Sequence, residues 1–139
     1  MRAALITVLL LACGAPQVRT ENDLSESIRQ FNDGIRWGRF ATAAASIPPP
    51  QRSQFVDEMD QRAGDLKITD YEIVDVAPRG AAEARVQIKL GWYKASEGTV
   101  HETHAIQTWE RHGKAWLMVD ETRLRGAEMP GLSDPVMKD

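Results

Sequence analysis

Three patterns of apolar and polar positions follow one another along the chain. Ala3 to Leu11 is a nearly unbroken apolar run preceded by Arg2. It is roughly half of the ~20 residues needed to span a bilayer as a helix, so it reads as an export signal rather than a permanent span. A helical period follows. Asn22 or Asp23 can cap a first helix, Asp23 and Glu26 have capping-box spacing, and Leu24, Ile28, Phe31 and Ile35 share one face. Gly38 can close that helix. Phe40, Ala43 and Ala44 suit a short second one, which must stop near Ser46 because Pro48-Pro49-Pro50 cannot continue it. Phe55, Met59 and Ala63 mark a third. After Gly64 the period becomes alternating, which predicts strands over 67–77, 82–94, 99–111 and 114–125, joined by "PRGA", "ASEG" and "HG". The last stretch, "GAEMPGLSDPVMKD", is rich in turn residues and predicts a mobile tail. The expected fold class is α+β: N-terminal helices packed on a curved four-stranded antiparallel meander.

The turns assign faces. A loop over 95–98 pairs Trp92 with His101, Leu90 with Thr103 and Ile88 with Ala105. A two-residue turn at His112-Gly113 sets Trp109 opposite Trp116, Gln107 opposite Met118 and Ala105 opposite Asp120. The inner face then carries Ala84, Val86, Ile88, Leu90, Trp92, His101, Thr103, Ala105, Gln107, Trp109, Trp116, Met118, Asp120, Thr122 and Leu124, with Tyr71 and Ile73 from the first strand. The outer face is charged, with His104 opposite Glu121 and Glu102 opposite Arg123. A one-residue slip would invert every assignment.

Among 139 residues there is one cysteine, Cys13, and it ends the apolar run. Leu10-Leu11-Ala12-Cys13 resembles the lipobox of bacterial lipoproteins, which implies that Cys13 is lipidated and becomes the mature N-terminus. Diacylation gives stable anchoring where one chain does not. The expected organisation is a signal peptide over 1–12, a lipidated tether over 13–21, a domain over 22–125 and a flexible tail over 126–139. Gly14, where retained lipoproteins carry Asp, implies the outer membrane, facing the periplasm. With Cys13 used, no thiol remains for a disulfide, a nucleophile or a soft metal. The net charge of −3, with basic and acidic residues interspersed, argues against a nucleic-acid partner.

"DGIRWGRFATAAAS", "LKITDYEIVDV", "ARVQIKL" and "WERHGKAWLMVDE" together resemble the nuclear-transport-factor-two-like (cystatin-like) fold of small bacterial lipoproteins. That resemblance implies a curved sheet wrapping helices into a cone. The superfamily holds dehydratases, isomerases and cyclases beside members without chemistry, so it licenses no reaction. His101 and His104 point to opposite faces and cannot readily share an ion, so no metal and no cofactor are expected. Trp92, His101, Thr103, Gln107, Asp120 and Thr122 are candidate pocket residues. Asp120 is the weak candidate for catalysis, because a desolvated acid acquires the raised pKa that general-base work needs. Tyr93, Ile106, Leu117 and Val119 are the candidate interaction patch, a surface through which a second copy could pair. The reading is a lipid-anchored envelope protein acting as a non-catalytic module for a small ligand or an envelope protein. Its rivals are a small enzyme using an acid in the cone and a purely structural dimer.

Overall fold

The computed structural model describes residues 16–134, with side chains from residue 23 onward. Helices α1 (Pro16–Arg36) and α2 (Phe40–Ala44), a 3-10 turn (Pro49–Gln51) and helix α3 (Arg52–Ala63) precede strands β1 (Leu66–Arg79), β2 (Glu83–Lys94), β3 (Val100–His112) and β4 (Ala115–Gly126). The strands form one antiparallel sheet in the order β1-β2-β3-β4, and the helices pack on its inner face. This is the expected α+β arrangement. The lipobox and Cys13 lie outside the described residues.

Helix α1 begins earlier than the capping residues suggest, so residues 16–21, expected as tether, belong to it. Pro16 suits the first helical position, where a missing N–H costs no hydrogen bond. Gly38, at a φ of 70°, ends the helix, and α2 then crosses it at Gly34. A Cβ on Gly34 would lie 3.0 Å from the Ala43 Cβ and from the Arg39 carbonyl, so the small residues of "DGIRWGRFATAAAS" serve close helix contact. Phe31 of α1 meets the Trp109 ring edge-on at 6.0 Å and the Phe55 ring at 6.0 Å, which joins α1, β3 and α3 in one core.

The β2–β3 register is the expected one, with Ile88 opposite Ala105, Leu90 opposite Thr103 and Trp92 opposite His101. Tyr71 and Ile73 of β1 pair with Leu90 and Ile88 and pack against the core. The β3–β4 register differs. The turn residues are Gly113 and Lys114, so His112 pairs with Ala115 and Trp109 with Met118. This two-step shift keeps Trp116 and Met118 inward and buried. Val119 then bulges, Thr108 pairs with Asp120, and Gln107 pairs with Glu121. One extra residue in one strand reverses the faces beyond it. Glu121 therefore turns inward, Asp120 and Thr122 turn outward, and Leu124, in a second irregularity, is exposed.

The segment after β4 is built into the fold rather than trailing from it. Ser133 bridges to Thr122 in parallel, the Arg123 N–H donates to the Ser133 carbonyl at 2.8 Å, and the Arg123 guanidinium reaches Asp134 at 2.7 Å. Ala127, Met129 and Leu132 pack on the core. Together with the Met118 N–H, which donates to the Ser46 carbonyl at 2.7 Å, these contacts cover the outer edge of β4.

Trp109→Ala is expected to cost about 3–5 kcal/mol, as truncation of a fully buried aromatic does. Asp120→Ala, at an exposed position, should stay within about 0.5 kcal/mol. Urea denaturation midpoints of the two variants check the bulged register, since comparable losses would contradict it.

Candidate functional site

The bulge at Val119 brings Glu121 to the inner face, where a buried polar relay receives it. The Trp109 Nε1–H can only donate, and it lies 3.2 Å from the Gln107 Oε1, so that oxygen must face the indole. The Gln107 amide nitrogen then points the other way, donating to the Glu121 Oε2 at 2.6 Å and to the Asn32 Oδ1 at 3.0 Å. Asn32 closes the relay by donating to the Ile28 carbonyl at 2.8 Å and back to the Gln107 Oε1 at 3.3 Å. Burial pushes the Glu121 carboxyl above its ordinary value of 4.5, the Gln107 hydrogen bond pulls the other way, and the neighbouring Asp120 charge raises it further.

Glu121 lines two cavities. The inner one, about 50 Å³, has an apolar wall of Phe31, Ile35, Phe55, Met59, Leu66 and Leu90 and is roofed by Met129, Pro130, Gly131 and Leu132. The outer one is an open groove of about 320 Å³ between Gln51, Gln54, Phe55 and Glu58 on the helical side and Met118 to Glu121 on β4. A third cavity of about 160 Å³ lies at the other end of α3, between Ile35, Arg36, Phe40, Met59, Arg62, Ala63, Leu66 and Lys67.

The candidate pocket residues separate into two groups. Trp92 is buried, and its Nε1–H donates to the Thr103 Oγ1 at 2.9 Å, which donates to the Ala127 carbonyl at 2.7 Å. His101 stacks on Trp92 with ring centroids 4.6 Å apart and lies 3.8 Å from Glu97. These three stand under the returning tail, at a distance from Glu121 along the sheet, and Trp92 is core rather than a mouth residue. Gln107 belongs to the relay. Asp120 is exposed and borders only the open groove, and Thr122 faces outward opposite Ile106. The acid in the cone is therefore Glu121 and not Asp120.

The outer-face residues do not form one patch. Tyr93 pairs with Val100 and Leu117 with Glu110, about 33 Å apart along β3 at ~3.3 Å per residue. His104 contacts Gln87 at 3.1 Å and Glu102 at 3.4 Å, while Glu121 and Arg123 lie opposite Gln107 and Ala105, so the two charge pairs expected across β3 and β4 do not form. Among the described residues no three metal-ligating side chains converge. Glu121, Asn32 and the roof of the inner cavity were not legible as a site. The available signal was a pair of polar residues, Asn32 and Gln107, on two facing apolar surfaces, which calls for a shared partner.

No protein-family description matches the chain, and no curated protein does. Solved structures do. A SEC-C motif containing protein from Rhodopseudomonas palustris superposes with a TM-score of 0.61 at 9% identity, covering 86% of this chain and 100% of its own. A conserved protein from Planctomyces limnophilus gives 0.56 at 12% identity, covering 75% and 94%. A ketosteroid isomerase-like protein from Erwinia carotovora atroseptica gives 0.60 at 10% identity, covering 75% and 95%. Identities this low speak for the fold alone. The fold, helices packed on a four-stranded antiparallel sheet, is consistent with the expected nuclear-transport-factor-two-like architecture.

Proposed function

We propose that the chain is a lipid-anchored envelope protein, held through Cys13 at the outer membrane and facing the periplasm, whose domain binds a small, largely apolar ligand without transforming it. The observation that carries the binding role is the placement of one acid, Glu121, against an apolar wall, with one oxygen held by Gln107. Such a site retains a ligand chiefly by apolar burial, with Glu121 as a polar boundary of the cavity. Catalysis asks for more. A general acid or base works on a substrate positioned within hydrogen-bond reach, and a partner usually shares the proton. Beside Glu121 the inner cavity has Arg62 as its only other charged residue, and the three histidines lie elsewhere. The anchor is supported by the lipobox-like Leu10-Leu11-Ala12-Cys13, and no helix among the described residues is long and apolar enough to cross a membrane.

Cys13→Ala should move the protein from the membrane fraction to the soluble envelope fraction, or leave it unprocessed. A variant that fractionates and is processed like the wild type would sink the anchor. Mass spectrometry of solvent extracts from the purified full chain should find an apolar molecule at near one per chain. A turnover reaction lost in a folded Glu121→Gln variant would replace binding with catalysis.

The raised pKa of Glu121 has a stability signature. Below 4.5 the carboxyl is protonated in both folded and unfolded chains and contributes no pH dependence. As pH rises past 4.5 the unfolded chain releases the proton while the folded one still holds it, so stability falls until the folded group also ionises. Glu121→Gln should therefore match the wild type near pH 4 and become progressively more stable than it toward neutrality, measured by chemical denaturation at several pH values. A constant difference across that range would show that Glu121 is solvated.

A further inference from the structure

Helix α3 is the least embedded element of the helical layer. None of its residues is fully buried, although Phe55, Met59 and Ala63 face inward. The reason lies beneath it. All three cavities described above are lined by it, with Phe55 and Glu58 at the open groove, Phe55, Met59 and Arg62 at the inner cavity, and Met59, Arg62 and Ala63 at the third. The inner cavity shares Phe55 and Glu121 with the groove, and Ile35, Met59, Arg62 and Leu66 with the third cavity, so the three are neighbours along one helix.

The seam is about 18 Å long, the length of a 12-residue helix at 1.5 Å per residue. Its two ends differ in charge. The groove end carries Glu58, Asp120 and Glu121 and no basic residue, whereas the far end carries Arg36, Arg62 and Lys67 and no acidic one. Arg62 is shared with Glu58 at 3.6 Å, but neither Arg36 nor Lys67 is in an ion pair among the described residues: Arg36 lies over the Trp37 ring and Lys67 donates to the Ala63 carbonyl. The middle is apolar.

We infer that the seam under α3 is a binding site for a single-chain amphiphile, its anionic head at Arg36 and Lys67 and its alkyl chain running beneath Met59 and Phe55 toward Glu121. The charge order fixes the orientation. Glu58 and Asp120 at the groove end repel an anionic head, and the basic end attracts it. Met59 lines both the inner and the third cavity, and an unbranched Met adapts to irregular space. A carboxylate and a phosphate head suit the basic end equally, so the chemistry named is the anion and the single chain. This assignment rests on the ligand-binding reading above and adds where the ligand lies and what it is.

The test is photolabelling of the full-length chain in the cells that make it, using medium-chain diazirine probes with a carboxylate, a phosphate or a neutral alcohol head. After purification and trypsin digestion, label from the carboxylate or phosphate probe should fall on the peptide Ser53–Arg62. Charge reversal at Arg36 and Lys67, both on the rim, should lower that label by about tenfold, the scale of losing a hydrogen bond to a charged group. Label from the alcohol should not change, which also shows the variant is folded. Ala63→Phe, which fills the basic end, should reduce label from every probe. Anionic probes that label other peptides, or charge reversal that leaves the label unchanged, would overturn the assignment. Carboxylate label without phosphate label, or the reverse, supports it and identifies the head. If a ligand is extracted from the purified chain but none of the probes labels α3, this inference fails and the binding reading stands. If nothing is extracted and nothing labels, both fail.

Discussion

The side-chain amide of Gln107 is the point on which the inner face is organised. Its oxygen accepts from Trp109 and Asn32, and its nitrogen donates to Asn32 and Glu121, so every polar position of a fully buried group is used. Because an indole N–H cannot accept, the amide has one orientation, and that orientation leaves an N–H facing β4. An apolar residue there would strand a buried donor at a cost of about 1–3 kcal/mol. The position opposite Gln107 is filled by Glu121 because Val119 bulges; the same turn without the bulge would set Asp120 there. The bulge and the relay are thus linked: the bulge selects the longer Glu121 side chain as the acceptor that Gln107 meets.

The same relay explains why the helical layer is uneven. Asn32 ties α1 to the sheet by hydrogen bonds, and Phe31 beside it packs on Trp109, so α1 is fixed by both polar and apolar contacts. Helix α3 has no such polar tie to the sheet. It touches the core through Phe55, is tied at its start by the Arg52 Nε–H donating to the Ile47 carbonyl at 2.9 Å, and is held at its end by Arg62, whose guanidinium lies against Gly131 of the returning segment. Gly131 has a φ of 84° and no side chain, which is what lets the arginine lie flat on it. A firmly held α1 opposite a lightly held α3 is the arrangement that lets a ligand enter on one side without disturbing the core.

Much of this was legible in the sequence, and what was not has a physical cause. The strand spans and the β2–β3 register followed from alternation plus a loop whose ends Ile88, Leu90 and Trp92 match on both strands. The β3–β4 hairpin was ambiguous because "HGK" places Gly113 acceptably in either of two turns, and shifting the pairing by two residues keeps the faces unchanged near the turn. Val119 was invisible for a different reason. A bulge leaves alternation intact on each side of itself, so "WLMVDETRL" reads equally well with Asp120 inward. The end segment was misread because turn residues there serve a bend, Gly126 at a φ of 90°, and then a return along β4.

Two of these departures, at Val119 and at Leu124, fall within β4, and that is itself informative. Where local pattern and tertiary structure agree, as along β2, the residues serve packing alone. Along β4 the chain gives up regular pairing twice, inserts a carboxyl group into an apolar interior and recruits the returning segment to cover the result. Each step costs stability that a regular strand would keep, and sequences tend to keep such local conflicts at functional positions. Strand β1 also breaks its pairing with β2 twice, after Ile68 and after Ile73, but neither β1 nor β2 buries a charged group there. Glu121 and the seam beside it are accordingly where the fold departs from its own simplest solution.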